Sequence, residues 1–118
     1  VHYGGWILPG LSLMHHSLEA NTAQLPLAVR NSSAQGFGTS TNEAIIGGCD
    51  AAQIGAIQYA LDLAKQMNLP IEKIWLDGGN AKMLMNQIQQ VNLLNAQKIE
   101  VSEGLVLRGV WAWLLKNL

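Results

Sequence analysis

Residues 36–48, Gly36-Phe37-Gly38-Thr39-Ser40-Thr41-Asn42-Glu43-Ala44-Ile45-Ile46-Gly47-Gly48, run from glycines on a polar loop straight into a helix start. Ser40 followed three residues later by Glu43 spells a capping box. The hydroxyl would accept from the Glu43 amide, and the carboxylate would reach back to the Ser40 amide. Thr41 then falls in the first turn, where unpaired backbone N–H groups favour an acceptor such as a carboxylate or phosphate. An ordinary capped helix packing on its own core has the same signature, and the capping box alone does not separate the two. A second junction, Asp77-Gly78-Gly79-Asn80, follows the apolar run Lys73-Ile74-Trp75-Leu76 and precedes a helical pattern. Strand, glycine turn and helix is the arrangement that places ligands at the carboxyl ends of strands. It lacks the spacing of a dinucleotide fingerprint or a P-loop. A side chain at Gly78 or Gly79 would obstruct a nucleotide or strain a turn that needs positive φ.

The remaining reactive residues assemble into nothing. There is no Gly-x-Ser-x-Gly elbow, and the three histidines cluster near the start of the chain. His15 and His16 have no Cys or carboxylate at ligand spacing, so they read as surface or pocket-rim residues rather than a metal site. Asp50, Asp62 and Asp77 cannot be ranked as general bases by spacing. The lone Cys49 forms no disulfide framework and fits a reducing compartment.

The elements that would position these residues alternate in type. Val1–Tyr3 and Trp6–Leu8 read as short extended runs around Gly4-Gly5, and Pro9-Gly10 forces a turn. Leu11, Met14 and Leu18 form one stripe of an amphipathic helix that ends before Pro26. Residues 27–38 read as a loop able to close over something. A long helix is expected from about Thr41 to Met67, with a possible break at Gly47-Gly48. Then come a buried strand at 73–76, a helix from about Ala81 to Gln90, a strand at Ile99–Val101 and a closing apolar helix from Leu105 to Leu115. This order predicts an α/β sheet with helices on its faces.

Composition sets the outer bounds. The chain's 118 residues suffice for one domain with a modest core. Apolar residues make up 49% and charged residues 13%, against about a quarter in ordinary domains. Part of the apolar surface should therefore be covered by a second subunit or by the rest of a larger protein. A formal charge of −1 with scattered basic residues argues against a nucleic-acid partner. No apolar run approaches the roughly 18 residues of a membrane span. On the long helix, Gly47, Gly48, Ala51, Ala52, Gly55 and Ala56 place small side chains at spacings of three and four. That face suits close packing, either in a homodimer or against the chain's own sheet.

Gly4-Gly5-Trp6-Ile7-Leu8-Pro9-Gly10 resembles the Gly-Gly-x-Ile-x-Pro-Gly signature of type III pantothenate kinases. Later segments are similar to that family in the same order: Thr22-Ala23-Gln24-Leu25-Pro26, the stretch from Gly38 to Ile45 with Gly47, Asp77-Gly78-Gly79-Asn80-Ala81, and Leu105-Val106-Leu107-Arg108-Gly109-Val110. The family usually has Asn where Ser40 stands and Thr where Asp77 stands. Ser and Asn cap equally well. The change at Asp77 bears on the adenosine site.

The resemblance implies a ribonuclease-H-like fold of the actin, heat-shock and sugar-kinase superfamily. Residues 1–118 would be its carboxyl-terminal domain, incomplete at its amino end. It implies transfer of the ATP γ-phosphate to pantothenate, the first step of coenzyme A biosynthesis, with Mg²⁺ and a monovalent cation (K⁺ or NH₄⁺) held mostly outside this chain. Thr41 and Ile7 would contact pantothenate, and Gly78 and Gly79 the nucleotide. The family's phosphate loop and its Gly-x-Asp-Arg motif do not occur in these residues. Alone, the chain is expected to be inactive and to need the missing amino-terminal half. A cytoplasmic homodimer through the long helix is the implied assembly. A non-catalytic binding or transcription-accessory module with the same fold is the alternative.

Overall fold

The computed structural model describes residues 2–21, 36–91 and 98–118. Its elements are α1 (Leu11–Asn21), α2 (Thr41–Gln66), β1 (Lys73–Leu76), α3 (Ala81–Val91), β2 (Lys98–Val101) and α4 (Leu105–Asn117). The chain divides into two compact units, residues 1–55 and 56–118, and the boundary falls within α2. The expected helix exit at Thr22–Pro26 and most of the loop at 27–38 lie outside the described residues.

In the first unit, residues 2–10 form no strand, contrary to the extended runs expected there. A strand needs a neighbour to take its backbone hydrogen bonds. Here Gly4 turns the chain at φ 120°, and no ladder partner exists among the described residues. The segment is instead tied down by its end, where Gln53 Nε2 donates to the Pro9 carbonyl at 2.7 Å. Pro9-Gly10 then feeds α1, whose first bond runs from the Met14 amide to the Gly10 carbonyl. Leu11 is buried, whereas Leu18 at the other end of the stripe is exposed.

α2 is a single unbroken helix of 26 residues, so the break considered at Gly47-Gly48 does not occur. Two adjacent glycines cost up to about 1 kcal/mol each relative to alanine. A continuous buried face offsets that cost: Ile45, Ile46, Cys49, Asp50 and Ile54 all fall on one side at 100° per residue. The opposite side carries Gly48, Ala51, Ala52, Gly55 and Tyr59, all exposed. The helix stops where Asn68 takes φ 56° and the Leu69 amide bonds back to the Ala64 carbonyl. Pro70 follows, as expected of a helix exit.

The second unit contains a β1–α3–β2 crossover with parallel strands, Ile74 opposite Ile99 and Leu76 opposite Val101. α3 packs on both strands. Ala81 and Ile88, seven residues apart, bury one stripe of it. The strand at 73–76 is not buried on both sides as its apolar run suggested. Ile74 and Leu76 are half-covered, whereas Lys73 and Trp75 are exposed on the other face. On that open face Lys73 Nζ sits 4.3 Å from the Trp75 ring centroid and pairs with Glu100 at 2.8 Å. α4 runs to Asn117 and buries no residue. Among the described residues it packs on no other helix or strand.

Candidate functional site

The start of α2 is built largely as its sequence implies. Ser40 Oγ accepts from the Glu43 amide at 3.2 Å, and the Ser40 carbonyl accepts the Ala44 amide at 2.9 Å. In the other half of the capping box the stronger partner of Glu43 is one residue further back than expected, with the Ser40 amide contributing less. Glu43 Oε2 accepts from both the amide and the hydroxyl of Thr39, each at 2.8 Å. Gly38 explains the shift. A methyl group there would run into the backbone of Glu43 and Ala44, lying 2.5 Å from the Glu43 carbonyl carbon. Without it the chain folds across the helix end, and Thr39 presents two donors to one carboxylate. The sequence signal for this was a glycine two residues before the cap. Its reason is space, because Gly38 has no positive φ.

Thr41 is the first residue of α2 and is exposed at this end. Ile7 is fully exposed. The hydrogen bond that holds its segment comes from Gln53, twelve residues beyond Thr41, which is about 18 Å along a helix. The two residues expected to share a substrate thus belong to one unit, but the bond that seats Ile7's segment is made well away from the cap. His16 Nδ1 lies 2.6 Å from the Ser12 carbonyl, within its own helix. His15 Nε2 is buried without a hydrogen-bond partner among the described residues. Burial pushes the Cys49 thiol above its ordinary value near 9.0, helped by the charge of Asp50, so it is no ready nucleophile.

The second candidate lies in the other unit, at the carboxyl end of β1. Gly78 adopts φ 105°, as the turn was expected to require, whereas Gly79 does not have positive φ. A Cβ built on either would meet nothing within 4 Å. The turn is therefore open at both glycines among the described residues. Asp77 does not face this space alone. Its Oδ1 accepts from the Gly78 amide and its Oδ2 from the Leu105 amide, both at 2.9 Å. The ladder extends one step past the strands, with the Ser102 amide donating to the Leu76 carbonyl at 2.8 Å. Among the described residues no group of three or more His, Cys, Asp and Glu could hold a metal ion.

Two outcomes test the α2 cap. The two Thr39 hydrogen bonds, ahead of a smaller contribution from the Ser40 amide, hold Glu43 below its ordinary value near 4.5. A lowered carboxyl stabilises the fold above its unfolded pKa, and that contribution is lost as pH falls through the folded value. The stability difference between wild type and Glu43→Gln should therefore be present at pH 7, shrink as pH falls below the ordinary carboxylate value and be lost as it passes through the lowered folded value; a gap unchanged down to acid pH would contradict the assignment. Gly38→Ala should destabilise by about 1–3 kcal/mol, as overpacking against backbone does, seen as an earlier denaturant midpoint.

Comparison with known proteins places these features in a family. The family described as type III pantothenate kinase matches residues 1–62. The type III pantothenate kinase of Janthinobacterium sp. (strain Marseille) is 51% identical over 86 residues, covering 69% of this chain and 32% of that protein. Its counterpart in Herminiimonas arsenicoxydans is 56% identical over 59 residues, 49% of this chain and 23% of the relative. A more distant one, from Colwellia psychrerythraea, is 28% identical over 113 residues, 92% of this chain and 45% of its own length. The chain thus spans less than half the length of these relatives. No solved structure matches. With the matched residues covering the Gly-Gly-x-Ile-x-Pro-Gly segment and the capped start of α2, this chain belongs to the type III pantothenate kinase family.

Proposed function

We propose that this chain is part of an ATP-dependent kinase that phosphorylates pantothenate to 4′-phosphopantothenate, the first step of coenzyme A biosynthesis. The observation that carries the reading is the family match across the glycine signature and the α2 cap. Residues 1–118 act as the carboxyl-terminal, ribonuclease-H-like domain. The parallel β1–α3–β2 crossover supports that reading.

Thr41 binds pantothenate in this proposal. Its hydroxyl sits at a helix start where the dipole favours an acceptor group. Ile7, bare on its own chain, supplies apolar contact to the same substrate. Gly78 and Gly79 receive the nucleotide, and the open space over the turn supports that role. Mg²⁺ and the monovalent cation supply charge neutralisation on the phosphates when bound, and none of the described residues is assigned to them. No catalytic residue is assigned within this chain. The enzyme works in the cytoplasm as a homodimer. The side of α2 that carries Gly48, Ala51, Ala52 and Gly55 supports the interface, since these small residues stand exposed.

Two measurements on the intact protein test this. Thr41→Val removes one hydrogen bond to the substrate, so kcat/KM for pantothenate should fall about tenfold while KM for ATP stays put. Unchanged pantothenate kinetics would sink the assignment. Ala52→Arg places a charge on the proposed interface, and light scattering should then report a folded monomer. A folded dimer would put the interface elsewhere.

A further inference from the structure

The start of α4 lacks a local cap. Gly104 precedes it in the left-handed region, at φ 68° and ψ 33°, and offers no side chain to the helix. An uncapped start leaves backbone N–H groups without partners. The acceptor arrives from elsewhere: Asp77, 28 residues earlier, takes the Leu105 amide on one oxygen and the Gly78 amide on the other. Among the described residues α4 has little else to hold it. It buries no residue and packs on no other element among the described residues. Its nearest further tie is Arg108 Nη1 to Ser102 Oγ at 3.5 Å, at the outer limit of a hydrogen bond. Only an ionised carboxylate offers acceptors on both oxygens. An asparagine has one, and its amide nitrogen would face an N–H.

We propose that Asp77 is a positioning residue: its carboxylate locks the glycine turn after β1 to the start of α4, so that turn and helix are ordered together. Both amides are already taken by the chain's own anion. A nucleotide at the turn must therefore fit beside the carboxylate rather than replace it, and the shape it meets is the one Asp77 sets.

Amide hydrogen exchange on the intact protein tests the lock directly. Asp77→Ala should speed exchange at Gly78 and at Leu105–Arg108 about tenfold or more, the scale of a lost hydrogen bond to a charged group. Amides of α2 around Ile54 should keep their protection. Asp77→Asn should lose only one of the two sites. Unchanged exchange at Leu105–Arg108 in Asp77→Ala would overturn the proposal. Should Asp77→Ala unfold throughout, Asp77→Asn decides: a change confined to Gly78 or to Leu105–Arg108 supports the lock, and a uniform change refutes it. A second arm rests on the nucleotide reading proposed above. There Asp77→Ala should raise KM for ATP several-fold with kcat and KM for pantothenate little altered. If wild type does not bind ATP, that reading fails, and the exchange arm still decides the role of Asp77.

Discussion

Backbone N–H groups at a helix start have no partner inside the helix, and in this chain side-chain oxygens fill that gap, with a carboxylate placed at the start of both α2 and α4. At α2 the carboxylate of Glu43 gathers Thr39, and Ser40 takes the Glu43 amide. At α4 the carboxylate of Asp77 comes from a different element altogether. The two arrangements do the same electrostatic work, placing negative charge at the positive end of a helix dipole. They differ in what they fix. The first fixes a loop onto its own helix, and the second fixes a strand end onto a helix. Thr41 and the Gly78 turn each lie close in sequence to one of these carboxylates, and Ile7 does not.

The apolar surplus of the sequence is visible as bare surface. No large side chain among the described residues is fully enclosed. α4 leaves Trp111 and Trp113 more than half exposed, and the Trp75 face of the sheet is open. A helix apolar on all sides is ordinarily a buried one, and parallel sheets are ordinarily covered on both faces. α2 divides more cleanly over its first half, with Ile45, Ile46, Cys49, Asp50 and Ile54 buried on one side and Gly48, Ala51, Ala52 and Gly55 exposed on the other. The second side has the low relief that lets another backbone come close.

Much of this was legible in the residue order. The strand at 73–76, the turn at Gly78, the helix starting at Ala81 and the long helix from Thr41 follow from periodicity, glycine placement and a capping box. The failures have specific causes. Residues 2–10 carry the composition of a strand, but composition does not supply a pairing neighbour. Gly47-Gly48 looked like a break because local propensity counts glycine as a cost and is blind to the Ile45, Ile46 and Ile54 face that holds the helix together. Glu43 reaches past Ser40, whose amide contributes less, to Thr39, and Gly38 leaves the room for it by lacking a methyl group, a steric matter between residues six apart. The role of Asp77 was out of reach for the same kind of reason, since no local pattern links it to Leu105.

That long span between Asp77 and Leu105 has a consequence for the order in which the chain assembles. The α2 cap closes over three or four residues, so it can form while everything else is unfolded. The α4 cap closes over 28 residues. Closing the longer loop costs on the order of 2 kcal/mol more in chain entropy. It also needs the end of β1 already in place. A helix of α4's length is marginal in water by itself, so α4 is a late arrival whose start waits on the sheet. Contacts of high sequence separation slow a domain's folding. The second unit therefore carries a kinetic dependence that the self-capped α2 does not share.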